Sequence, residues 1–267
     1  FGFHFFLHSS QHDALPISHE IRTPMSLIIS PLQQLMAKDK DAECRKLYST
    51  IQRNAERILQ LVNQLMDIRK IDKGQMSLMF KKAEIVSFTR DLLETFEQQT
   101  RVKKLDLKFH TSAPEIEMWI DPKNFDKIIL NLLSNACKFT PENGQVEISL
   151  STGEDTHLPK NAPLRRYVEF TVADSGIGSA STEREHIFER FYQIRNSQNN
   201  SNIGTGIGLH LTRSLVELHY GNIHVEDNGE GKPGSRFIIR LPLGKGHLKK
   251  EDRKSTRLNS SHQISTY

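Results

Sequence analysis

Apolar residues recur at alternating spacings of four and three along two early stretches of the chain, and this pattern predicts helices over 17–37 and 43–70. Such repeats are typical of helices that supercoil around one another. The link at 38–42 is short, so we expect antiparallel neighbours. Because two helices alone bury little apolar surface, two chains are expected to pair as a four-helix bundle. The repeat consists of Ile17, Ile21, Pro24, Ile28, Pro31, Leu32 and Leu35, then Leu47, Ile51, Asn54, Ile58, Leu61, Leu65 and Ile68.

Shorter strand-like and helical runs follow the linker 72–75 and predict a mixed α/β domain. Two helix starts carry capping signals: Asp121 precedes Pro122, and Thr182 with Glu185 makes a capping box. The fold class is therefore α+β, with an antiparallel helical hairpin followed by an α/β sandwich. The polar stretch 194–203 predicts a mobile lid. Strands are predicted at 105–110, 116–120, 145–150, 166–173, 222–227 and 235–241, and helices at 86–101, 122–139, 182–191 and 206–219.

The charge distribution argues against a nucleic-acid partner. The net charge of +4 is accounted for by the segment 245–267, with six Lys or Arg and two acids, so the body of the chain is neutral and predicts no basic face. Cys44 and Cys137 lie far apart and suggest neither a metal site nor a disulfide framework, which favours a reducing compartment. No apolar run approaches the roughly 18 residues of a membrane span.

One face of the predicted helix 122–139 carries Asn131, Asn135 and Lys138 at positions i, i+4 and i+7. Two amides and an ammonium on one face can meet phosphates and a hydrated Mg²⁺, a cation that prefers oxygen ligands such as an Asn carbonyl. By spacing alone, an ordinary solvated helix face explains the pattern as well.

Two glycine-containing blocks come later. Asp174-Ser175-Gly176-Ile177-Gly178 ends a predicted strand, where the carboxylate can accept from an exocyclic amine such as adenine N6 and the glycines permit close approach of a flat base. A tight turn explains that block equally well. The block 204–209, Gly-Thr-Gly-Ile-Gly-Leu, opens a helix whose free N–H groups favour phosphate. Its last residue is Leu, so it is not the dinucleotide fingerprint.

A histidine stands far upstream, in Ser18-His19-Glu20-Ile21-Arg22-Thr23-Pro24. Any of the 12 histidines could face solvent on a helix, so its position alone says little. A zinc-protease motif is excluded because position 23 is Thr. Glu20 can hold the proton of one ring nitrogen of His19 and leave the other free to attack, and Pro24 removes a helical hydrogen bond beside it.

Together the three later blocks, in this order and spacing, resemble the ATP-binding domain of sensor histidine kinases, which is related to gyrase, the ninety-kilodalton heat-shock chaperone and the mismatch-repair ATPases. The block 187–192, Ile-Phe-Glu-Arg-Phe-Tyr, is similar to the phenylalanine-containing block of these kinases, and 18–24 resembles their phospho-acceptor block. The resemblance covers about 18–244. It implies a dimerisation and phosphotransfer domain at 18–72 and an ATP-binding domain at 73–244, between tails at 1–17 and 245–267.

The resemblance also implies roles for single residues. Transfer of the γ-phosphoryl group of ATP would go to His19, assisted by Glu20, and Thr23 would orient water if the kinase also dephosphorylates its partner. Asn135 would ligate Mg²⁺, Asp174 would bind adenine and Phe139 would lie near the base. The remaining nucleotide contacts implied are Asn131, Lys138, Gly176, Gly178, Arg195, Gly204, Thr205, Gly206, Gly208 and Leu209.

The partners implied are a second copy of the chain and the receiver domain of a response regulator, either separate or fused downstream. The segment 241–248 resembles the exit from the kinase core in hybrid kinases, where a receiver follows. The core would be cytoplasmic, with the parent protein held at a bacterial inner membrane only through upstream segments. Residues 1–17 and 254–267 resemble translated sequencing adaptors or, alternatively, disordered termini.

Two departures from the family pattern stand out. Ser179-Ala180 replaces the usual Ile-Pro, and the helix that normally precedes the acceptor histidine is replaced by the segment 1–17. Two other functions remain open on the sequence: an ATP-binding conformational clamp without phosphotransfer, and a degenerate scaffold that binds a partner without turnover.

Overall fold

The computed structural model describes residues 14–193, 205–229 and 232–248. It begins with a helical hairpin of α1, Ala14–Lys38, and α2, Ala42–Asp72. The Asp41 side chain starts α2 by accepting from the backbone N–H groups of Glu43 and Cys44 at 2.7 and 3.2 Å. Within the described ranges, no helix combines the length and apolar character needed to cross a membrane.

The hairpin packs through a stripe that adjoins the predicted one. The more buried apolar positions described on α1 are Ile21, Met25, Ile29, Leu32 and Met36, and those of α2 include Tyr48, Ala55, Leu59, Val62 and Met66. The predicted repeat lies mostly on the outside of this hairpin: Leu47 is 59% exposed and Ile51 48%. Asn54 is also exposed, and its side chain donates to the carbonyl of Thr50. An apolar surface therefore runs along the hairpin.

The remaining residues form an α/β sandwich. A five-stranded sheet in the order β2-β4-β5-β7-β6 is antiparallel except for the parallel pair β2–β4, and β1 pairs with β3 in a separate antiparallel ribbon. Three helices share one hydrophobic core with the sheet. The elements are β1 Lys81–Glu84, α3 Ile85–Lys103, β2 Asp106–Thr111, β3 Glu117–Ile120, α4 Pro122–Phe139, β4 Gln145–Glu154, β5 Arg166–Asp174, α5 Gly208–Leu218, β6 Asn222–Asp227 and β7 Ser235–Pro242.

One predicted helix is wrong. In place of a helix over 182–191 the chain makes turns and a single 3-10 turn at His186–Phe188. Phe191 then adopts a left-handed φ of 65°, which ends any helical path. Because the buried residues Ile187 and Phe188 are adjacent, one turn is enough to bring both into the core.

Contacts join the hairpin to the sandwich. Ile68 of α2 is only 2% exposed and belongs to the main core. The Asp67 carboxylate accepts from Lys127 Nζ of α4 at 2.6 Å, and Arg190 donates to both carboxylate oxygens of Asp72 at 2.8 and 3.1 Å. A separate small core, outside the hairpin, buries Leu248 with Leu78 and Phe80.

His219 links the two helices that flank the site described below. Its Nε2 accepts from the backbone N–H of Asp121 at 3.2 Å, and its Nδ1 donates to the carbonyl of Leu215 at 2.7 Å. Burial lowers the pKa of His219, so the imidazole is neutral and both ring nitrogens have partners. Asp121 in turn caps α4 by accepting from Asn124 N–H at 3.1 Å. The start of α4 is thereby fixed to the end of α5.

Candidate nucleotide and phospho-acceptor site

The last half of α4 forms the floor of the candidate site. Asn131 and Asn135 are half-buried on it, and the side-chain amide of Asn131 donates to Thr212 Oγ1 of α5 at 2.8 Å. Lys138 Nζ lies 4.7 Å from the ring centroid of Phe139, whose side chain is 39% exposed. Burial, with a smaller effect of the charge of Arg57, lowers the pKa of Lys138. An anionic ligand would offset both effects.

The turn after β5 lies directly against the end of α4. Asp174 is 6% exposed, and its Oδ1 accepts from Gly176 N–H at 2.8 Å. Burial raises the pKa of Asp174, while hydrogen bonds from the Gly176 and Ser235 backbones act in the opposite direction. A Cβ on Gly176 would lie 2.6 Å from the carbonyl oxygen of Phe139. Only glycine therefore permits this approach of the turn to α4.

The start of α5 approaches the same helix at Asn131. A Cβ on Gly208 would collide with Asn131 Oδ1, so a larger residue there would displace the Asn131 side chain. Gly206 has a φ of 68°, and Gly178 in the Asp174 turn has 70°. Among the described residues, no side chain caps α5 at Ile207. Backbone N–H groups at this end are thus available to an anion.

The phenylalanine block closes the site near α5. The carbonyl of Gly206 accepts from the backbone N–H of Phe191 at 2.9 Å. His210 Nδ1 donates to the carbonyl of Phe188 at 3.0 Å. These bonds hold together the two ends of the segment 194–204, which lies outside the described residues. The predicted lid falls there, as do Arg195 and Gly204.

The candidate acceptor residues lie on a separate element. His19 and Glu20 are part of α1, and Thr23 is exposed one turn further along that helix. Pro24 lies inside α1, as the sequence predicts. The acceptor segment and the three later blocks are therefore on different domains.

The structure brings most of the predicted nucleotide residues together around α4. Thr205 is half-buried before α5, and its Oγ1 accepts from Ile207 N–H at 3.4 Å. Leu209 differs from the others because it packs against the hydrophobic core. Leu209 can therefore contact a ligand only through its backbone N–H at the start of α5.

Sequence reasoning missed several residues that build this site. Asn228 Nδ2 donates to the Asp174 carbonyl at 3.1 Å, and Ser175 Oγ accepts from Gln145 N–H at 2.8 Å. Gly234 has a φ of 109°, and a Cβ there would collide with the Asp174 carbonyl. The dipeptide Pro233-Gly234 was a signal for a turn, but nothing in the sequence indicated what it lies against.

Comparison with known proteins defines the class. The family model described as "Histidine kinase-, DNA gyrase B-, and HSP90-like ATPase" matches residues 120–245, and "His Kinase A (phospho-acceptor) domain" matches residues 17–74. The sandwich thus has an ATPase fold that occurs in several functionally different classes of protein. The acceptor hairpin narrows the class, and the chain belongs to the histidine kinases.

Curated relatives agree with this assignment. The chain is similar to sensor histidine kinase TmoS of Ectopseudomonas mendocina, with 38% identity over 85% of this chain and 22% of TmoS. It is 35% identical to hybrid signal transduction histidine kinase D of Dictyostelium discoideum, over 85% of this chain and 14% of that protein. The chain therefore spans less than a quarter of the length of either relative.

A solved structure is similar over most of this chain. The crystal structure of full-length ShkA in complex with AMPPNP superposes with a TM-score of 0.69 at 25% identity. The match covers 88% of this chain and 46% of ShkA. A match to the sandwich alone would cover far less of this chain, so the matched region includes the hairpin as well.

Proposed function

We propose that this chain is a kinase core that moves the γ-phosphoryl group of ATP to His19 and then to an aspartate of a response regulator. The observation that carries the proposal is the cradle around α4: the Asp174 turn and the start of α5 both close on this helix through glycines. A histidine beside a carboxylate, on a separate helix of the same chain, supplies the acceptor.

Adenine would bind at the end of α4. The buried Asp174 carboxylate is a strong acceptor for an exocyclic amine, and the nearby Phe139 ring is partly exposed. Gly176 and Gly178 keep this wall free of side chains, so a flat base can approach the backbone. The exocyclic N6 amine of adenine is a donor that this carboxylate can accept from.

The phosphates would lie toward α5. Its uncapped N–H groups, Thr205 and Gly206 on one side, and Lys138 on the other, would neutralise their charge. Arg195 and Gly204, in the segment between the phenylalanine block and α5, are proposed as further contacts. Lys138 has a lowered pKa through burial, and a bound polyphosphate would restore its preference for the charged form.

The residues present fit a magnesium ion. Asn135 offers a side-chain carbonyl on the half-buried face of α4, and Asn131, held to Thr212, fixes the neighbouring turn of that face. Mg²⁺ prefers a few oxygen ligands, several waters and phosphate oxygens, so a single amide suits it. Once bound, the ion would neutralise charge that develops on the phosphates.

Phosphoryl transfer needs alignment and a neutral imidazole. A neutral imidazole nitrogen is a good nucleophile, which suits a histidine such as His19 as the acceptor. Glu20 would hold the proton of one nitrogen while the other attacks in line. Thr23, exposed one turn on, could orient a water molecule for the reverse removal of phosphate from the partner.

The first test is whether label from γ-labelled ATP with Mg²⁺ remains on the chain. Stable label supports a kinase. Hydrolysis of ATP without labelled protein would support a conformational clamp, and failure to bind any adenine nucleotide would support a scaffold.

We further assign dimerisation and phosphotransfer to 18–72 and ATP binding to 73–244.

The exposed stripe on the hairpin is proposed as a homodimer interface. It contains Leu27, Ile28 and Leu35 of α1 with Leu47, Ile51, Ile58 and Leu65 of α2, each between 39% and 69% exposed. Pairing two hairpins would bury both stripes in a four-helix bundle. A receiver domain would dock on the part of α1 that carries His19.

Replacing Ile51 by Lys is expected to weaken dimerisation by at least about tenfold in Kd, because a symmetric interface would bury two unpaired ammonium groups. Sedimentation equilibrium measures the effect. The matched control is Gln60→Lys, at an exposed position on the opposite side of α2. Equal dimer affinity in both variants would place the interface elsewhere.

A further inference from the structure

The end of α4 is capped by a side chain from a distant part of the chain. Lys103, the last residue of α3, sends its Nζ to three carbonyl oxygens: Cys137 at 2.8 Å, Lys138 at 3.0 Å and Thr140 at 2.7 Å. An ammonium has three donors and no acceptor, and here each donor has one carbonyl.

This cap replaces the usual one. The last carbonyls of a helix lack intrahelical partners, and many helices satisfy them with a left-handed glycine. Here Thr140 leaves α4 in an extended conformation, with φ of −77° and ψ of 129°. Its own N–H and Oγ1 bond only to the Ala136 carbonyl, at 3.0 and 2.6 Å. The positive charge of Lys103 also faces the negative end of the helix dipole.

The lysine is itself held in place. Lys104 adopts a left-handed φ of 53° and ends α3, and Leu105 N–H donates to the carbonyl of Thr100 at 2.8 Å. The carbonyl of Lys103 accepts from Asn143 N–H at 3.4 Å, on the loop that follows α4. The cap is therefore anchored from both sides of the turn.

We propose that Lys103 is a positioning residue for the nucleotide, which holds the last turn of α4 in the conformation that directs Lys138 and Phe139 at the ligand. The inference rests on the proposed nucleotide site. Lys103 acts through the carbonyls on both sides of Phe139, and the Gly176 turn packs against the carbonyl of Phe139 itself. The turn that carries both side chains is thereby fixed before the nucleotide arrives.

Without the cap the turn would have to be ordered on binding. If only about one tenth of the molecules hold the competent turn, the apparent Kd rises about tenfold. Transfer from the bound nucleotide would change little, because the bound state again has the ordered turn. The proposal thus predicts an effect on affinity and not on the rate at saturation.

The experiment titrates the full chain with AMPPNP and Mg²⁺ by calorimetry, and measures the initial rate of protein labelling at saturating ATP. Lys103→Met is expected to raise the Kd about tenfold and to change the saturated rate less than about twofold. Lys81→Met, the same substitution at an exposed lysine of β1, is the matched control and should leave the Kd unchanged. Lys103→Arg keeps the charge but loses the threefold donor geometry, so an intermediate Kd is expected.

A Kd for Lys103→Met within twofold of the parent value would overturn the inference, as would a lost saturated rate with unchanged affinity. If Lys103→Met does not fold, the Kd of Lys103→Arg relative to the parent chain is compared in the same way. If neither variant folds, Lys103 supports the whole domain and the inference fails. A parent chain that binds no nucleotide would instead refute the proposed function.

Discussion

Replacing Asn135 by Asp is expected to slow phosphoryl transfer from Mg·ATP about hundredfold, a loss typical of one removed transition-state contact, while the affinity for nucleotide falls much less. Asn135 is half-buried on the face of α4 that also carries Lys138, beside the proposed phosphates. A carboxylate there adds a negative charge where charge must be neutralised and alters the oxygen ligand offered to Mg²⁺. The adenine contact of Asp174, at the end of β5, is untouched.

The measurement compares the Kd for AMPPNP with the labelling rate at saturating ATP. Ser134→Ala changes the adjacent, exposed residue and serves as the control, with both quantities expected to match the parent chain. Equal losses of affinity and rate in Asn135→Asp would show that Asn135 contributes only to binding. That result would remove it from the proposed magnesium site.

The second large effect is expected for Asp174→Asn, which should raise the Kd for adenine nucleotides about thirtyfold without unfolding the domain. The Asp174 carboxylate already accepts from the backbones of Gly176 and Ser235. A side-chain amide has one acceptor oxygen and one NH₂ group, which only donates. The NH₂ group would therefore face either a backbone N–H or the adenine amine, and one hydrogen bond would be lost. Loss of one charge-assisted hydrogen bond costs about 1.5–3 kcal/mol, and a thirtyfold change in Kd corresponds to about 2 kcal/mol.

Folding should survive this change. Burial raises the pKa of Asp174, which means that burying the charged carboxylate costs free energy, and a neutral amide removes that cost. Asp106→Asn, at an exposed carboxylate on β2 paired with Lys108, is the control. Thermal unfolding checks the fold and calorimetry the affinity. Unchanged nucleotide affinity in Asp174→Asn would refute the adenine contact.

Local signals predicted the nucleotide elements well. Asp121 before Pro122 sets the start of α4, and the observed helix ends at Phe139 as predicted. The glycine at 176 was predicted to let a flat base approach the backbone, and that role stays a prediction. The structure shows instead that Gly176 and Gly208 both lie against α4, which the sequence did not indicate. At the start of α4 the residue types alone determine the backbone, so the sequence was sufficient there.

Distant partners were beyond sequence reasoning. Lys103 contacts carbonyls 34 to 37 residues further along the chain, and any lysine near a helix end has the same local appearance. Strand β1 was missed because Lys81–Glu84 has only four residues and no strict alternation, and it is defined by its pairing with β3. The helix predicted from the capping signal at Thr182 does not form. The left-handed turn at Phe191 and the burial of Ile187 and Phe188 determine the backbone there instead.

The most direct test of the central claim is the chemical nature and position of the transferred phosphate. The chain, His19→Gln and the control His110→Gln, an exposed histidine on β2, are incubated with γ-labelled ATP and Mg²⁺. The account predicts acid-labile, base-stable label on the parent chain and on His110→Gln, and none on His19→Gln. Label that persists in His19→Gln, or ATP hydrolysis without labelled protein, would contradict it.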